Sequence, residues 1–205
     1  MIKSLFSAAA AAVVVAAPVQ AQSAQTDLQQ VQRHLAGVTT MTAAFTQTDR
    51  AGKVLTGTMT LKRPGKIRFQ YEKGVPILIV GDGKSLHFID YSVRQVSRWP
   101  IGNSPLGVLL DPTKDISRFA TVQPTANPEV LSVEVRDPKH PEFGRITLVF
   151  NKAASGPAGL VLQGWVALDA QNNRTTIRLN RQQFGAPVSD GTFRWNDPRR
   201  SGRQG

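Results

Sequence analysis

The chain has 205 residues, a formal net charge of +11 and no cysteine. The missing cysteines exclude disulfides, thiolate nucleophiles, zinc–thiolate sites and a lipid-modified N-terminal cysteine. A charge of this size favours a nucleic-acid partner in a cytosolic protein. The N-terminus points to export instead, and we therefore expect no nucleic-acid partner. Anionic membranes or acidic proteins are better partners for an exported cation.

Residues 1–21 have the pattern of a secretory signal peptide. Lys3 supplies the positive start, residues 5–17 form an apolar run rich in alanine and valine, and Val19-Gln20-Ala21 offers a cleavage site. The run is shorter than the roughly 20 residues that a membrane span needs. We expect a periplasmic protein with one domain over residues 22–198 and a disordered basic tail over residues 199–205.

The first predicted element is an amphipathic helix. Thr26 or Asp27 can cap its start and Gly37 can end it. Its apolar face carries residues at helical spacing, which are Leu28, Val31, Leu35 and Val38. The opposite face is rich in glutamine and arginine, so this helix is expected to lie on an apolar surface.

Alternating apolar and polar residues then predict a series of strands joined by turns rich in glycine, proline, asparagine and aspartate. The predicted strands are residues 45–49, 55–62, 66–71, 77–80, 85–91, 93–99, 130–136, 145–150, 160–168 and 175–181, with a possible last strand at 192–195. A short helix interrupts them at residues 104–110, where Ser104 and Pro105 form a helix start. Residues 114–119 are predicted to add a short turn.

This pattern predicts a mainly β (α+β) fold, with one antiparallel sheet of about ten strands that curls over two or three short helices. Strand parity places one set of apolar side chains on the concave face. The set is Met59, Leu61, Ile67, Phe69, Tyr71, Ile79, Phe88, Leu148, Phe150 and Leu162. The concave side is either a packed core or a cavity large enough for lipid. Leu106, Leu109 and Leu110 of the short helix are expected either to plug that cavity as a mobile lid or to complete a fixed core.

Arg63 stands at the end of an apolar strand, directly before Pro64. Its guanidinium has five donors and a permanent charge. It is either an ordinary surface charge or a polar latch at the rim of the concave face.

Catalytic patterns are weak. The histidines His34, His87 and His140 lack paired metal-ligand spacing, and no Gly-x-Ser-x-Gly elbow occurs. The segment Gly81-Asp82-Gly83-Lys84 joins two predicted strands, so it is expected to be a β-turn and not a phosphate loop. We expect neither an enzyme, a cofactor nor a metal site.

Several stretches, taken in order, resemble the LolA family of periplasmic lipoprotein carriers. They are Phe45-Thr46-Gln47, residues 57–64 (GTMTLKRP), residues 79–86 (IVGDGKSL) and residues 104–110 (SPLGVLL), with a weaker match at residues 193–198. The resemblance implies an unclosed β-barrel whose helical lid covers an apolar cavity for acyl chains. It also implies that Arg63 is the latch arginine, donating to backbone carbonyls near Leu35, Leu109 and Leu110.

By the same resemblance, the cargo is triacylated lipoproteins carried from the inner to the outer membrane. The implied partners are an inner-membrane Lol ABC transporter and, where the organism has one, the outer-membrane receptor LolB, with the carrier itself a monomer. Three alternatives stay open: a lipid- or lipoprotein-sensing module of the same fold, a carrier of another lipid, and an exported hydrolase, which the scarcity of acids disfavours.

Overall fold

The computed structural model describes residues 19–101, 107–111 and 115–200. They form one antiparallel sheet of 11 strands that does not close, together with two α-helices. The prediction of a mainly β fold built on a single unclosed sheet is confirmed. Within the described residues, no helix is both long enough and apolar enough to span a membrane.

The helices are α1 (Val19–Gly37) and α2 (Gly107–Leu110). The first six strands are β1 (Thr40–Thr48), β2 (Val54–Lys62), β3 (Lys66–Tyr71), β4 (Ile77–Asp82), β5 (Ser85–Asp90) and β6 (Gln95–Pro100). The remaining strands are β7 (Ala120–Gln123), β8 (Val130–Arg136), β9 (Arg145–Lys152), β10 (Leu160–Leu168) and β11 (Arg174–Phe184). Single turns of 3-10 helix separate some of the later strands.

Sequential strands are paired as hairpins, in the order β6-β5-β4-β3-β2-β1-β11-β10-β9-β8-β7. The exception is the central pair, in which the first strand meets the last, with Phe45 opposite Leu179. This pairing joins the two halves of the chain into one sheet and leaves β6 and β7 at its two outer edges. The connection from β6 to β7 contains α2.

Alternation along the strands builds one buried face. In β3, Ile67, Phe69 and Tyr71 are buried while the residues between them are more exposed. The same face takes buried residues from β1, β2 and β8–β11 and is covered by both helices, through Val31 and Leu35 of α1 and Leu109 of α2. The core therefore lies between the concave face of the sheet and these helices.

A close approach of two strands explains the glycine at position 57. Phe45 packs edge-on against both Phe69 and Tyr71, with ring centroids 5.2 and 5.1 Å apart. A Cβ on Gly57 would lie 2.8 Å from the Phe45 ring and 2.1 Å from the Gln70 carbonyl oxygen. Only glycine lets this aromatic group sit directly on the sheet.

The residues after β11 form a second, smaller core on the outer face of the sheet. We call residues 185–197 the C-terminal strap. Phe193 of the strap is buried with Leu78, Val80 and Ile89 of β4 and β5. This explains why β4 is apolar on both of its faces.

Three cations hold the strap to the sheet. Lys62 and Lys66 contact the Asp190 carboxylate at 2.7 and 3.0 Å, and both hydrogen bonds lower the pKa of Asp190 to about 2. The Arg68 guanidinium donates to the backbone oxygens of Thr192 and Arg194 at 3.2 and 3.1 Å. Arg68 therefore helps to hold the strap to the sheet. The alternation along the strand predicts only that its side chain faces outward.

The element bounds differ from the predictions in several places, including β1, which begins at Thr40 and not at residue 45. The first helix begins at Val19, several residues before the predicted caps, and β7 was not predicted. The predicted strand at residues 192–195 is wrong, because Asp190–Phe193 forms a 3-10 turn that drives Phe193 into the outer core. Of the predicted helix at residues 104–110, α2 covers the last four, and residues 104–106 lie outside the described part.

The strap is expected to contribute strongly to stability through Phe193. Phe193→Ala should lower the free energy of unfolding by about 3 kcal/mol, because it removes a buried ring and leaves a cavity. Urea denaturation measures the change. Arg194→Ala is the matched control: Arg68 binds the backbone oxygen of Arg194, so this change should stay within about 0.5 kcal/mol. A loss below about 1 kcal/mol for Phe193→Ala would mean that the strap does not pack as described.

Candidate functional site: an apolar cavity beneath two helices

A small cavity of about 20 Å³ lies between the concave face and the two helices. Among the described residues, its walls are apolar except for two side chains, His34 and Arg63. The apolar lining residues are Leu35, Val38, Met41, Met59, Leu61, Ile67, Leu109, Leu162 and Trp165. This volume holds about one water molecule, so the concave side is closely packed in this state.

The sheet brings most of the predicted cavity residues together. Met59, Leu61, Ile67 and Leu162 line the cavity directly. A second group, Phe69, Tyr71, Leu148 and Phe150, is buried in the same core. Ile79 is half-buried and packs against that core. Phe88, opposite Ile79, is half-buried and lies outside the buried group, and Leu106 is outside the described residues.

Arg63 lies at the cavity together with Leu35 and Leu109, two of the residues predicted beside it. Its Nε and Nη1 atoms are buried and have no hydrogen-bond partner among the described residues. Burial lowers the pKa of Arg63 to about 10, because desolvation disfavours the charged form, and the Asp111 carboxylate opposes this shift. The guanidinium is therefore a charged, under-satisfied group inside an apolar site.

Backbone groups beside Arg63 make the contacts to the covering segments. The Arg63 N–H donates to the Thr39 carbonyl at 2.8 Å, just after α1. The Gly65 N–H donates to the Leu110 carbonyl at the end of α2, at 2.9 Å. Thus the turn after β2 is bonded to α2 through its main chain, while Nε and Nη1 of the Arg63 side chain have no partner among the described residues.

His34 is the second polar group at the cavity. It lies on the buried stripe of α1, is only 2% exposed, and its ring packs edge-on against Phe150 with centroids 5.3 Å apart. Its Nδ1 lies 2.8 Å from the carbonyl oxygen of Pro157. A carbonyl can only accept, so Nδ1 carries a proton and donates. Burial is the main cause of its lowered pKa, and the Arg63 charge acts in the same direction.

Sequence reasoning missed four cavity residues: Val38, which was placed only on the apolar face of the helix, Met41, which precedes the predicted first strand, and His34 and Trp165. His34 follows Val31 by three positions and precedes Val38 by four, so helical spacing already places it on the buried face. Trp165 is hidden by a β-bulge: the register with β9 shifts between Leu162 and Gly164, which turns the indole inward. A glycine inside a strand is the available signal for such a bulge.

The two helices are held in place unequally. α1 is anchored through His34 and through Gln30, whose Nε2 donates to the Ala158 carbonyl at 3.0 Å. By contrast, α2 is a single turn that depends on the burial of Leu109 and Leu110 and on the bond from Gly65. A helix this short has no stability of its own. The segment that can leave the cavity at the lower cost is therefore α2.

The site has the features of a binding cavity. Within the described part of the chain, no group of three or more histidine, aspartate or glutamate side chains could hold a metal ion. The three histidines stay apart: His34 lies in the core, while His87 and His140 pair with Asp82 and Glu142 at the surface. Apolar walls with a few polar groups are typical of ligand sites, and a cavity of about 20 Å³ must open before it can admit a long apolar ligand.

Comparison with known proteins points to one family. The family model described as "Outer membrane lipoprotein carrier protein LolA" matches residues 36–196. An outer-membrane lipoprotein carrier protein of Chromobacterium violaceum is 30% identical over 202 residues, which cover 95% of this chain and 93% of the relative. A protein of the same name from Dechloromonas aromatica is 27% identical and covers 76% of this chain and 74% of its own.

Among solved structures, an uncharacterized conserved protein from Thermus thermophilus is similar in fold. Its TM-score is 0.50 at 16% identity, with 85% of this chain and 95% of that chain covered. At this identity the likeness concerns the fold alone. It agrees with the unclosed antiparallel sheet described above.

The buried guanidinium is expected to reduce the stability of this closed state. Arg63→Met keeps an unbranched apolar stem and removes an under-satisfied charge, so it should raise the free energy of unfolding by about 1–3 kcal/mol. Chemical denaturation at neutral pH measures the difference. Arg118→Met, at an exposed arginine, should change it by less than about 0.5 kcal/mol. A destabilised Arg63→Met protein would show that the guanidinium is bonded in solution.

His34 should make stability depend on pH. Its pKa is lowered in the folded state, so the unfolded chain binds its proton more readily. The contribution of neutral His34 to the free energy of unfolding is complete above the pKa of histidine in the unfolded chain, which is about 6.5. It is lost as the pH falls below that value. Unfolding free energies measured between pH 7 and 5 should therefore decline in the wild type, and His34→Gln should flatten the decline. His140→Gln, at an exposed histidine, should leave it unchanged; an equal effect of both variants contradicts the assignment.

Proposed function

Because the chain belongs to the LolA family of outer-membrane lipoprotein carrier proteins, we propose that it is a periplasmic chaperone for lipoproteins. It shields their acyl chains between the concave face and the helices and carries them from the inner to the outer membrane. The observation that carries the proposal is the apolar cavity, closed by a four-residue helix and containing an under-satisfied arginine. The role is binding and transport, with no chemical step.

The energetics of the cargo require such a site. Each methylene of an acyl chain that is buried contributes about 0.8 kcal/mol, so an acylated anchor does not cross an aqueous compartment unshielded. Apolar contacts are non-directional, and they bind chains of differing length without fixing one geometry. A cavity lined by leucine, isoleucine and methionine meets this need, with methionine adapting to irregular ligands.

Loading requires the cavity to expand, since about 20 Å³ is far too small for an acyl chain. We assign the movement to α2. Leu109 and Leu110 fill the concave side in the closed state and are displaced when acyl chains enter. The Gly65–Leu110 hydrogen bond is the main-chain contact that breaks.

In our proposal Arg63 becomes the latch of this lid when small movements bring its donors to carbonyls near Leu35, Leu109 and Leu110. In the state described above it lines the cavity beside Leu35 of α1 and Leu109 of α2, and its Nε and Nη1 atoms have no partner among the described residues. Its unmet donors raise the free energy of the closed empty state, since a buried unsatisfied donor costs about 1–3 kcal/mol. The closed state of the lid is therefore less stable than its apolar packing alone would make it, so acyl chains can displace the lid. A modest difference in free energy between the closed and loaded states suits a carrier that must also release its cargo.

The partners follow from the same role. Triacylated lipoproteins are the cargo, an inner-membrane Lol ABC transporter loads the carrier, and LolB receives the cargo where the organism has it. Each step needs one copy of the carrier, consistent with a monomer. No nucleic-acid partner is part of the proposal.

Acyl-chain binding can be tested with a fluorescent fatty acid. Met59 lines the cavity, whereas its neighbour Thr58 is exposed on the other face. Met59→Gln places an amide among acyl chains and should weaken binding at least about fivefold, the effect of one unsatisfied buried polar group. Thr58→Gln should leave the affinity unchanged.

Leu162→Gln changes a second residue of the cavity wall, so that the test still works if Met59→Gln does not fold. Circular dichroism reports whether each protein is folded. Equal affinities for folded Met59→Gln, Leu162→Gln and wild type would contradict the cavity as the binding site. Mass spectrometry of the protein purified from the periplasm then identifies the cargo. If the protein is found with acyl chains of lipoproteins, the proposed carrier role is supported. If it is found with another class of lipid, the protein carries that lipid and the lipoprotein role is wrong.

A further inference from the structure

The β5–β6 hairpin exposes an unusual amount of apolar surface. Four large hydrophobic side chains are exposed in the described part of the chain, and three of them, Tyr91, Val93 and Trp99, lie on this hairpin. Val93 is 65% exposed at the tip and Trp99 is 49% exposed near the other end. Because β6 is an outer edge of the sheet, apolar side chains here favour association with something outside the chain.

The turn that carries Tyr91 and Val93 is held by hydrogen bonds to the Asp90 side chain. The Asp90 carboxylate accepts from the backbone N–H of Ser92 at 2.9 Å and from its hydroxyl at 2.5 Å. These bonds lower the pKa of Asp90. The turn therefore presents its apolar side chains to solvent as part of a fixed conformation.

Cations accompany the apolar residues. Lys84, Arg94 and Arg98 are exposed on or beside the hairpin, and none of the ion pairs between described residues involves them. Arg98 donates through Nε to the Ser85 hydroxyl at 2.8 Å, which leaves its terminal nitrogens for another partner. The local charge of these side chains is positive.

The acids of this region are committed to local contacts. Asp82 accepts from the N–H groups of Lys84 and Ser85, both at 2.8 Å, and lies 3.0 Å from His87. Asp90 serves the turn as described above. The two carboxylates thus bind backbone N–H groups at the two ends of the hairpin. None of the ion pairs between described residues involves Lys84, Arg94 or Arg98, so these cations can bind an anionic surface.

We propose that the β5–β6 hairpin is a docking surface for an anionic lipid bilayer. Tryptophan and tyrosine favour the headgroup region, where the ring is buried and the polar atom stays hydrated. Lysine and arginine near an anionic leaflet each contribute about a fivefold gain in binding.

The arrangement suits a bilayer better than an acidic protein. Trp99 is paired with Leu86 and Arg98 with His87, so successive side chains of the edge strand project from opposite faces of the sheet. A fluid lipid surface surrounds an edge from both faces. A folded protein partner needs a preformed surface that matches both at once.

The hairpin is also continuous with the lid. Ile101 follows β6, is buried in the main core, and donates its N–H to the Lys84 carbonyl at 3.1 Å. The chain then leads to α2. Docking by this edge brings Ile101, which leads into the lid, close to the membrane, and the docking itself does not depend on which lipid the cavity carries.

Vesicle co-sedimentation tests the proposal with the protein purified from the periplasm. It should bind vesicles of phosphatidylcholine mixed with phosphatidylglycerol, and binding should fall with added salt, because the charges are exposed. Pure phosphatidylcholine vesicles should bind much less. Absence of binding to the anionic vesicles overturns the proposal.

Variants with matched controls locate the surface. Val93→Ser combined with Trp99→Ser should weaken binding about tenfold, whereas Val54→Ser, at the exposed valine outside the hairpin, should not. Lys84→Gln combined with Arg94→Gln should lose about fivefold for each cation, and Arg178→Gln, at an exposed arginine of β11, should lose little. Controls that weaken binding as much as the hairpin variants overturn the location.

Brominated lipids give a direct readout of contact. Measured in a Trp195→Phe background, which removes the half-buried tryptophan beside His87, they should quench the fluorescence of the vesicle-bound protein through Trp99, since Trp165 is buried in the core. Trp99→Phe should keep most of the binding and lose most of the quenching. If the hairpin variants bind vesicles normally but lose binding to an acidic protein of the envelope, the surface is a protein interface and the proposal is wrong.

Discussion

An antiparallel sheet whose edges do not meet must cover its concave apolar face with something other than itself. Here β6 and β7 remain unpaired with each other, and the face between them is covered by α1 and α2. A closed barrel would hold its interior shut with backbone hydrogen bonds around the whole circumference. This sheet relies on side-chain packing of helices instead. The main properties of the site follow from that difference, since packing can be exchanged for another apolar surface.

The two covering helices differ in how they are attached, and this difference makes one of them the candidate lid. α1 is a long helix with polar anchors at His34 and Gln30 to the turn before β10. α2 is one turn, with one main-chain bond from Gly65 and two buried leucines. Local opening follows the segments with the fewest cooperative contacts. The fold therefore combines a rigid wall with a replaceable cover.

The polar groups of the molecule are divided in a consistent way. Carboxylates are used by turns, where Asp49, Asp82, Asp137 and Asp169 accept backbone N–H groups close in sequence. Cations project from strands, and three of them hold the C-terminal strap. With the acids engaged at turns, much of the excess positive charge stays on outward-facing strand positions. Among the described residues, no carboxylate forms an ion pair with Arg63, and Asp111 acts on it through its charge.

Much of the fold was predictable because its signals are local. Period-two alternation in β2, β3, β8 and β9 assigns the inward residues directly, and turn residues mark most strand ends. The β7 strand was missed because it has four residues and little alternation to detect. The strand expected at residues 192–195 was wrong because its apolar residues serve the outer core, to which the strap is held by cations from other strands.

The sequence alone determined the strand pattern, the apolar face, the lack of cysteine chemistry and the resemblance to a carrier family, since each depends on residue types at short spacing. Only the tertiary structure decided that β1 pairs with β11, that a bulge turns Trp165 inward and that His34 meets Arg63 at one cavity. It also decided how full that cavity is. These properties depend on contacts between residues far apart in the chain, and on how well side chains fill a shared space, which no local pattern encodes.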